Sequence, residues 1–340
     1  MLAIAHRNNS FSHEWIQYCE KHNVPYKTVD PYSSDIIAKT ADCRGFMWHW
    51  AHHDPKAVLF ARQLTHSLER VGLKVFPDTN TGWHFDDKIG QKYLLESIRA
   101  PVVPSYVFYD KVESLAWAQR SDYPKVFKLR SGAGAENVKL VADYSAAKRM
   151  IRRMFGKGHR AKRRLHSIKE RLWHYRRDKT FKSFIALSKG IARILWPDER
   201  LKKLPVEKNY FYLQEFIPHN DHDIRVIVVG HRAFAIKRMV RKGDFRASGS
   251  GTIIHDPAEI PIECIKLAFT TSKRLQAQCL AYDFIYDDSQ PRIIEISYAF
   301  APGGYTSCPG YWNEELNWTA TSFTPQHFII EDFIRDCDVR

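Results

Sequence analysis

Residues 282–287 read YDFIYD, and residues 292–297 read RIIEIS. Both runs have the aromatic and β-branched character of strands, and they follow one another closely enough to be neighbours. Each carries one acid among apolar residues, Asp283 in the first and Glu295 in the second. Alternate residues of a strand face opposite sides, so Glu295 points away from the isoleucines beside it. Taken singly, either acid reads equally well as a solvent-facing strand position. As a pair facing one pocket they make a natural site for a hard cation such as magnesium.

Moving toward the N-terminus, NYFYLQEFIP (209–218), DIRVIVV (223–229) and RAFAIKRMV (232–240) are further strands. The first brings Gln214 and Glu215, followed by Phe216 and Ile217, to a strand end whose backbone can read an adenine. Asp223 offers an acid to ribose hydroxyls, Arg225 a cation, and Lys237 and Arg238 two more cations on the next strand. FRASGSGT (245–252) is a glycine-containing loop. Further back, KVFKLRSGAGAENVKLV (125–141) reads as strand, small-residue turn and strand, which is a hairpin. Lys128 stands just before Gly132 and Gly134. A lysine there neutralises phosphate as a point charge, and glycine backbone can approach phosphates and donate N–H groups to them. Asp87–Lys88 opens a helix predicted over Lys88–Ile98, stopped by Pro101 and Pro104. Cations, metal-type acids and an adenine platform are what nucleotide-dependent phosphoryl transfer requires. The chain has no GxxxxGK[ST] loop and no ordered protein-kinase motif set.

Before Asp87 short strands alternate with helices. LAIAHR from Leu2, PYKTVD from Pro25, RGFMWHW from Arg44 and LKVFPD from Leu73 are the strands. SHEWIQYCEKHN has Ser12 as a candidate N-cap, with Trp15, Ile16 and Cys19 on one face. In DPKAVLFARQLTHSLERVG, Asp54 caps, Pro55 sits in the first turn and Gly72 ends the helix. This alternation predicts a largely parallel sheet covered on both faces. The fold class expected is therefore mixed α/β and α+β. An open α/β domain over residues 1–86 precedes two lobes, 87–218 and 219–340.

The chain has 340 residues, 44% of them hydrophobic, enough to bury real cores. No apolar run reaches the ~18 residues of a membrane span. The opening MLAIAHRNNS is too short in its apolar part for a secretory signal and reads as a first strand. The six cysteines form no CxxC pair and predict reduced, buried thiols. Of the formal net charge of +14, residues 157–208 carry nearly all, with 17 Lys and Arg against 5 Asp and Glu. Leu165, Ile168, Leu172 and Trp173 recur at helical spacing there, and a second apolar cluster runs from Phe181 to Ile191. Such a basic helical insertion suits an anionic membrane surface or an acidic carrier better than nucleic acid, for which no recognition motif is present. The HWAHH cluster at 49–53 is the only dense group of histidines, and a structural role for it is the simpler reading. The aromatic and glycine-rich stretch YAFAPGGYTSCPGYWNEELNW (298–318) offers ring faces that suit sugars and apolar groups alike.

In their order, the pieces at 87–88, 125–141, 213–217, 223–225, 237–238 and 282–297 resemble the ATP-grasp superfamily. The likeness is to the branch holding glutathione synthetase, D-alanine–D-alanine ligase and the ribosomal-protein glutamate ligases, and it runs from about Asp87 to Tyr305. It implies an N-terminal open α/β domain and a two-lobed fold that holds Mg-ATP between its lobes, with 157–208 as an insertion. Lys88 and Lys128 would hold the phosphates, and Gln214 to Ile217 the adenine. Asp223 would meet the ribose. Arg225 and Arg238 would stabilise the transferring phosphoryl group or an acyl phosphate. Asp283 and Glu295 would ligate magnesium, for which manganese can substitute. The family places an Asn two residues after the Glu; here Ser297 takes that third metal position. The implied activity is an ATP-dependent carboxylate–amine ligase in the cytoplasm or at the inner membrane face, acting on small molecules, with a homodimer as the family's common state. A conjugate of a surface polysaccharide or peptide is the loosely implied product. An ATP-grasp kinase and a nucleotide-binding module of weakened catalysis are the alternatives.

Overall fold

Four short strands, each followed by a chain reversal through a helix, begin the fold. In the computed structural model, residues 1–132, 137–159, 205–240 and 252–338 are described, with Tyr175, Lys179, Thr180, Ile185 and Ser188. The first strands and helices are β1 (Leu2–Ala5), α1 (Ser12–Lys21), β2 (Tyr26–Val29), α2 (Ile36–Thr40), β3 (Gly45–Trp48), α3 (Pro55–Arg70) and β4 (Lys74–Phe76). The strands pair in parallel in the order β2-β1-β3-β4. β1 and β3 are buried along their whole length, as a parallel sheet covered on both faces requires. Gly72, just past α3, has φ +86°, the left-handed turn that ends a helix most cheaply in glycine. Ser12 is not the N-cap of α1. Phe11 occupies that place without a side-chain cap, and the Ser12 hydroxyl accepts from the Arg7 backbone N–H at 3.2 Å, bracing the loop before the helix.

The short helix α4 (Thr79–Gly82) and α5 (Lys88–Ser97) follow. Asp87 caps α5 by accepting from the Gly90 N–H at 2.9 Å, and Ile98 takes the C-cap position. Next come β5 (Ser105–Phe108), α6 (Lys111–Arg120), β6 (Lys125–Phe127), β7 (Lys139–Val141), α7 (Tyr144–Met154) and β8 (Phe211–Glu215). Their strands form an antiparallel sheet in the order β5-β8-β6-β7, with the predicted hairpin as β6 and β7. The final part holds β9 (His222–Val229), β10 (Arg232–Met239), β11 (Ile253–Ile254), α8 (Ile262–Leu275), β12 (Cys279–Asp287), β13 (Gln290–Ser297), β14 (Gly310–Asn313), β15 (Trp318–Ala320) and α9 (Pro325–Asp338). These strands make a seven-stranded sheet, β13-β12-β9-β10-β14-β15, with β11 added along β10.

The chain divides into two compact units. Residues 1–51, 56–103 and 217–340 form the first; residues 52–55 and 104–216 form the second. The N-terminal stretch and the last third of the chain thus share one unit, and α5 lies with them. In that unit the parallel sheet and the seven-stranded sheet share a single hydrophobic core. Tyr298 stands at its middle, 0% exposed, with its ring 4.5 Å from Phe85 and 5.1 Å from Trp50. Its hydroxyl donates to the Trp50 carbonyl at 3.2 Å. The aromatic stretch after Ser297 is spent on packing. Phe300, Tyr305 and Trp312 are buried, and the Trp312 and Trp318 rings lie 4.4 Å apart across the β14–β15 pair. The two tryptophan rings hold the sheet edge.

All six cysteines are unpaired and buried. No helix among the described residues is long and apolar enough to cross a membrane. The two helices read in the basic segment fall almost wholly outside the described residues, as do Gly134 and most of the loop at 245–252.

One side chain ties α5 to the strand that carries Glu295. The Gln91 amide donates to the Ile296 carbonyl at 2.8 Å and accepts from the Ile296 N–H at 3.2 Å. It also donates to the His84 carbonyl at 3.1 Å. Gln91 is 3% exposed. A leucine of similar size there strands buried backbone groups at Ile296. Gln91→Leu is expected to lower stability by about 2 kcal/mol, read as a lower urea midpoint at unchanged slope.

Candidate active site

Cross-strand register, not sequence proximity, assembles the charged groups. In antiparallel pairs, residues directly opposite share a face. Glu295 on β13 faces Asp283 on β12, and Asp283 faces Arg225 on β9. Asp223, two residues before Arg225 and so on the same face, is opposite Arg238 on β10. The register shifts just after Asp283, where Phe284 pairs with Ile293 rather than Ile294. Such a bulge bends the strand and re-aims its side chains.

The result is a row of paired charges. Lys88, at the start of α5, lies 3.1 Å from Glu295. Arg225 donates to both Asp283 oxygens, at 2.5 and 3.1 Å. Arg238 donates through Nε to Asp223 at 2.9 Å and through a terminal nitrogen to its other oxygen. The same terminal nitrogen is 3.1 Å from Asp283. Three cations and three carboxylates are thus paired in the first unit, and Asp86 adds a further negative charge near Lys88.

Burial decides how these groups ionise. Asp283 is 5% exposed. Burial works against its charge, but the Arg225 and Arg238 guanidiniums outweigh it and hold the carboxyl below its ordinary range. Asp223 is 0% exposed. Burial pushes its carboxyl up to about 6 against the pull of Arg238, which leaves it ionised at neutral pH. Burial opposes the Lys88 charge too, yet Glu295 and Asp86 keep that ammonium above its usual range. Tyr305 is 2% exposed beside the same arginines, and burial pushes its phenol up to about 12. It presents a neutral hydroxyl.

Other residues singled out by sequence fall elsewhere. Asp223, read as a ribose contact, has no exposed surface and both its oxygens lie on Arg238; its observed work is to hold that guanidinium. Lys237, next to Arg238, lies on the opposite face by strand alternation and pairs with Glu259 at 2.8 Å. The Ser297 hydroxyl donates to the Ala299 carbonyl at 2.8 Å and accepts from the Ala299 N–H at 3.1 Å. In the second unit, Lys128 follows β6 directly and donates to the Gln214 side-chain carbonyl at 2.5 Å. Glu215 is gripped by Lys125 at 2.8 and 2.9 Å. Phe216 and Ile217 follow β8, half-buried. Gly132 has φ +105°, a left-handed conformation open to glycine. Sequence reading missed Lys125, Gln91 and Tyr305, none of which lies in a spacing pattern.

Asp283 and Glu295 are hard oxygen donors of the kind magnesium takes. Among the described residues no group of three or more His, Cys, Asp or Glu can hold a metal by itself. Magnesium keeps waters and binds through one or two carboxylates plus substrate phosphates. The two carboxylates supply hard oxygens on adjoining strands beside cations suited to phosphate, so the donor set fits the ion.

Residues 185–303 match the family model described as a RimK-like ATP-grasp domain. No curated protein matches the chain in sequence. Among solved structures, it is similar to a RimK domain ATP-grasp protein from Sphaerobacter thermophilus, at 18% identity and a TM-score of 0.52, covering 87% of this chain and 89% of that one. It is similar to D-alanine–D-alanine ligase from Bacillus anthracis complexed with ATP, at 13% identity and a TM-score of 0.54, covering 99% and 97%. It also resembles N5-carboxyaminoimidazole ribonucleotide synthetase from Thermotoga maritima, at 12% identity and a TM-score of 0.54, covering 95% and 77%.

The Asp283 network makes a pH prediction. A carboxyl held below its unfolded value contributes stability that is present above about 3.8 and lost as pH falls through its folded value. Asp283→Asn leaves two partly buried guanidiniums short of a partner and is expected to lose about 3 kcal/mol at pH 7. Urea unfolding of both proteins at pH 7 and pH 3 should show that gap shrinking at the acid end. A gap of equal size at both would disprove the ionised pairing.

Proposed function

We propose that this chain, whose residues 185–303 match a RimK-like ATP-grasp domain, joins a carboxylate to an amine at the expense of ATP. The γ-phosphoryl group passes to the carboxylate oxygen, the amine displaces phosphate from the acyl phosphate, and ADP and phosphate leave. The observation that carries this reading is the Arg225–Asp283–Arg238 contact, with Glu295 on the adjoining strand. It puts two fixed guanidiniums beside two metal-type carboxylates.

The parts are assigned as follows. Lys88 and Lys128 neutralise phosphate oxygens, and the Gly132 turn supplies backbone N–H groups near them. Gln214 to Ile217 receive the adenine. Asp283 and Glu295, with Ser297, would hold magnesium, which when bound neutralises phosphate charge. Arg225 and Arg238 meet the charge that develops on the transferring group. Fixed donors of this kind act in the transition state without reorganising. Asp223 positions Arg238 through two charge-assisted hydrogen bonds. The domain division expected from sequence, 1–86, 87–218 and 219–340, is kept here as a division of roles.

Two measurements test the reading. Mg-ATP at ~100 times its dissociation constant should stabilise the intact protein by ~2.7 kcal/mol, and Lys128→Ala should lose most of that gain. No thermal shift in the intact protein with excess magnesium ends the proposal. Arg238→Ala should keep the shift yet slow ADP release about 100- to 1,000-fold. ADP release that requires both a carboxylate and an amine identifies a ligase. Release with a hydroxyl acceptor and no amine identifies a kinase instead.

A further inference from the structure

The second unit contains a cleft of about 260 Å³ that the proposed reaction does not use. Phe127 and Met154, each 1% exposed, form its floor. Met150 lines its wall, and Lys139, Arg149 and Arg153 are exposed at its mouth. No carboxylate lines it among the described residues. Two acids lie nearby: Asp143, which caps α7 by accepting from the Ala146 N–H at 2.7 Å, and Glu207, whose backbone pairs with that of His159. The Glu207 carboxylate is already taken, accepting from Ser131 at 2.5 Å and from the Tyr210 hydroxyl at 3.0 Å.

The composition of α7 explains why such a cleft exists. An amphipathic helix ordinarily turns its apolar stripe to the core and its cations to water. Ala147 and Ile151, both 0% exposed, and Met154, 1% exposed, are that core stripe. Residues 146, 149, 150, 153 and 154 fall at a second helical spacing and line the cleft together. This face sets thioethers beside guanidiniums at the border between the core stripe and the solvated side. Arg153 is anchored, its Nε donating to the Gly158 carbonyl at 3.2 Å, so its charge stays at the mouth. Methionine adapts its shape to irregular apolar groups.

We propose that this cleft binds a small anionic amphiphile, a single carboxylate or phosphate head on a short apolar stem. The stem lies over Phe127, Met150 and Met154, and the head meets Arg149 and Arg153. The volume falls below the ~300–1,000 Å³ of sites for larger ligands, which sets the stem short. Such a ligand comes either free, as a fatty-acid anion, or as part of an anionic lipid surface.

Calorimetric titration of the intact protein with decanoate, acetate and decyltrimethylammonium separates the contributions. Decanoate should bind one per chain and more weakly as salt rises. Acetate, which lacks the stem, and the cation, which carries the opposite charge, should not bind. Met150→Trp fills the cleft and Arg149→Glu reverses an exposed charge; each should weaken decanoate about tenfold or more. The Mg-ATP thermal shift should stay unchanged in both variants, which keeps this test separate from that of the nucleotide site. Where the tryptophan variant does not fold, Arg149→Glu alone decides. Absence of saturable decanoate binding, or binding that both variants leave intact, overturns the proposal. Retention on phosphatidylcholine vesicles containing phosphatidylglycerol, lost in both variants, names a lipid as the source. No such loss, with decanoate still bound, names the free anion.

Discussion

Arg225 holds Asp283 by both carboxylate oxygens across the β9–β12 pair, and much of the molecule is arranged around keeping that contact in register. A one-residue slip of either strand would turn one partner to the other face. The register is secured from both sides. β9 runs against β10 over eight residue pairs, and α8 buries Cys264, Ile265 and Ala268 completely. The charged row needs this support, because a buried guanidinium or carboxylate left without its partner is far more costly than the pair.

The core carries the same constraint into the N-terminal sheet. Tyr298 follows Ser297 directly and lies among Trp50, Phe76 and Phe85. Gln91 fixes the backbone at Ile296. The strand bearing Glu295 is therefore held at its end by one buried ring and one buried amide, both engaged with groups outside its own sheet. This accounts for a first unit that joins the two ends of the sequence. A sheet whose last strand is anchored in an earlier domain cannot easily move apart from it.

Much of this was legible in the sequence, and the parts that were not share a cause. Strands were readable because β-branched and aromatic runs are local signals. Asp283 and Glu295 stood out because each is a lone acid in an apolar run. Asp223 and Arg238 were each visible, but not that they meet, since their pairing depends on strand order β12-β9-β10, a long-range property. Lys237 was grouped with Arg238 by adjacency, whereas strand alternation sends them to opposite faces. Ser12 looked like a cap because its residue type fits one; the loop from Arg7 claimed its hydroxyl instead. The aromatic stretch after Ser297 could not be divided into core and pocket by composition, because a ring buried at Trp312 and one lining a site are the same residue type.

The paired row has a kinetic meaning as well as a structural one. Lys88, Arg225 and Arg238 offset Glu295, Asp283 and Asp223, so at neutral pH those pairs project little field past a Debye length of roughly 8 Å at physiological ionic strength. A neutral pair neither steers an arriving polyanion nor repels it. Its donors act only at contact, once the incoming charges compete with the carboxylates for them. Any strong salt dependence in the rate of ligand capture therefore belongs to cations outside the row.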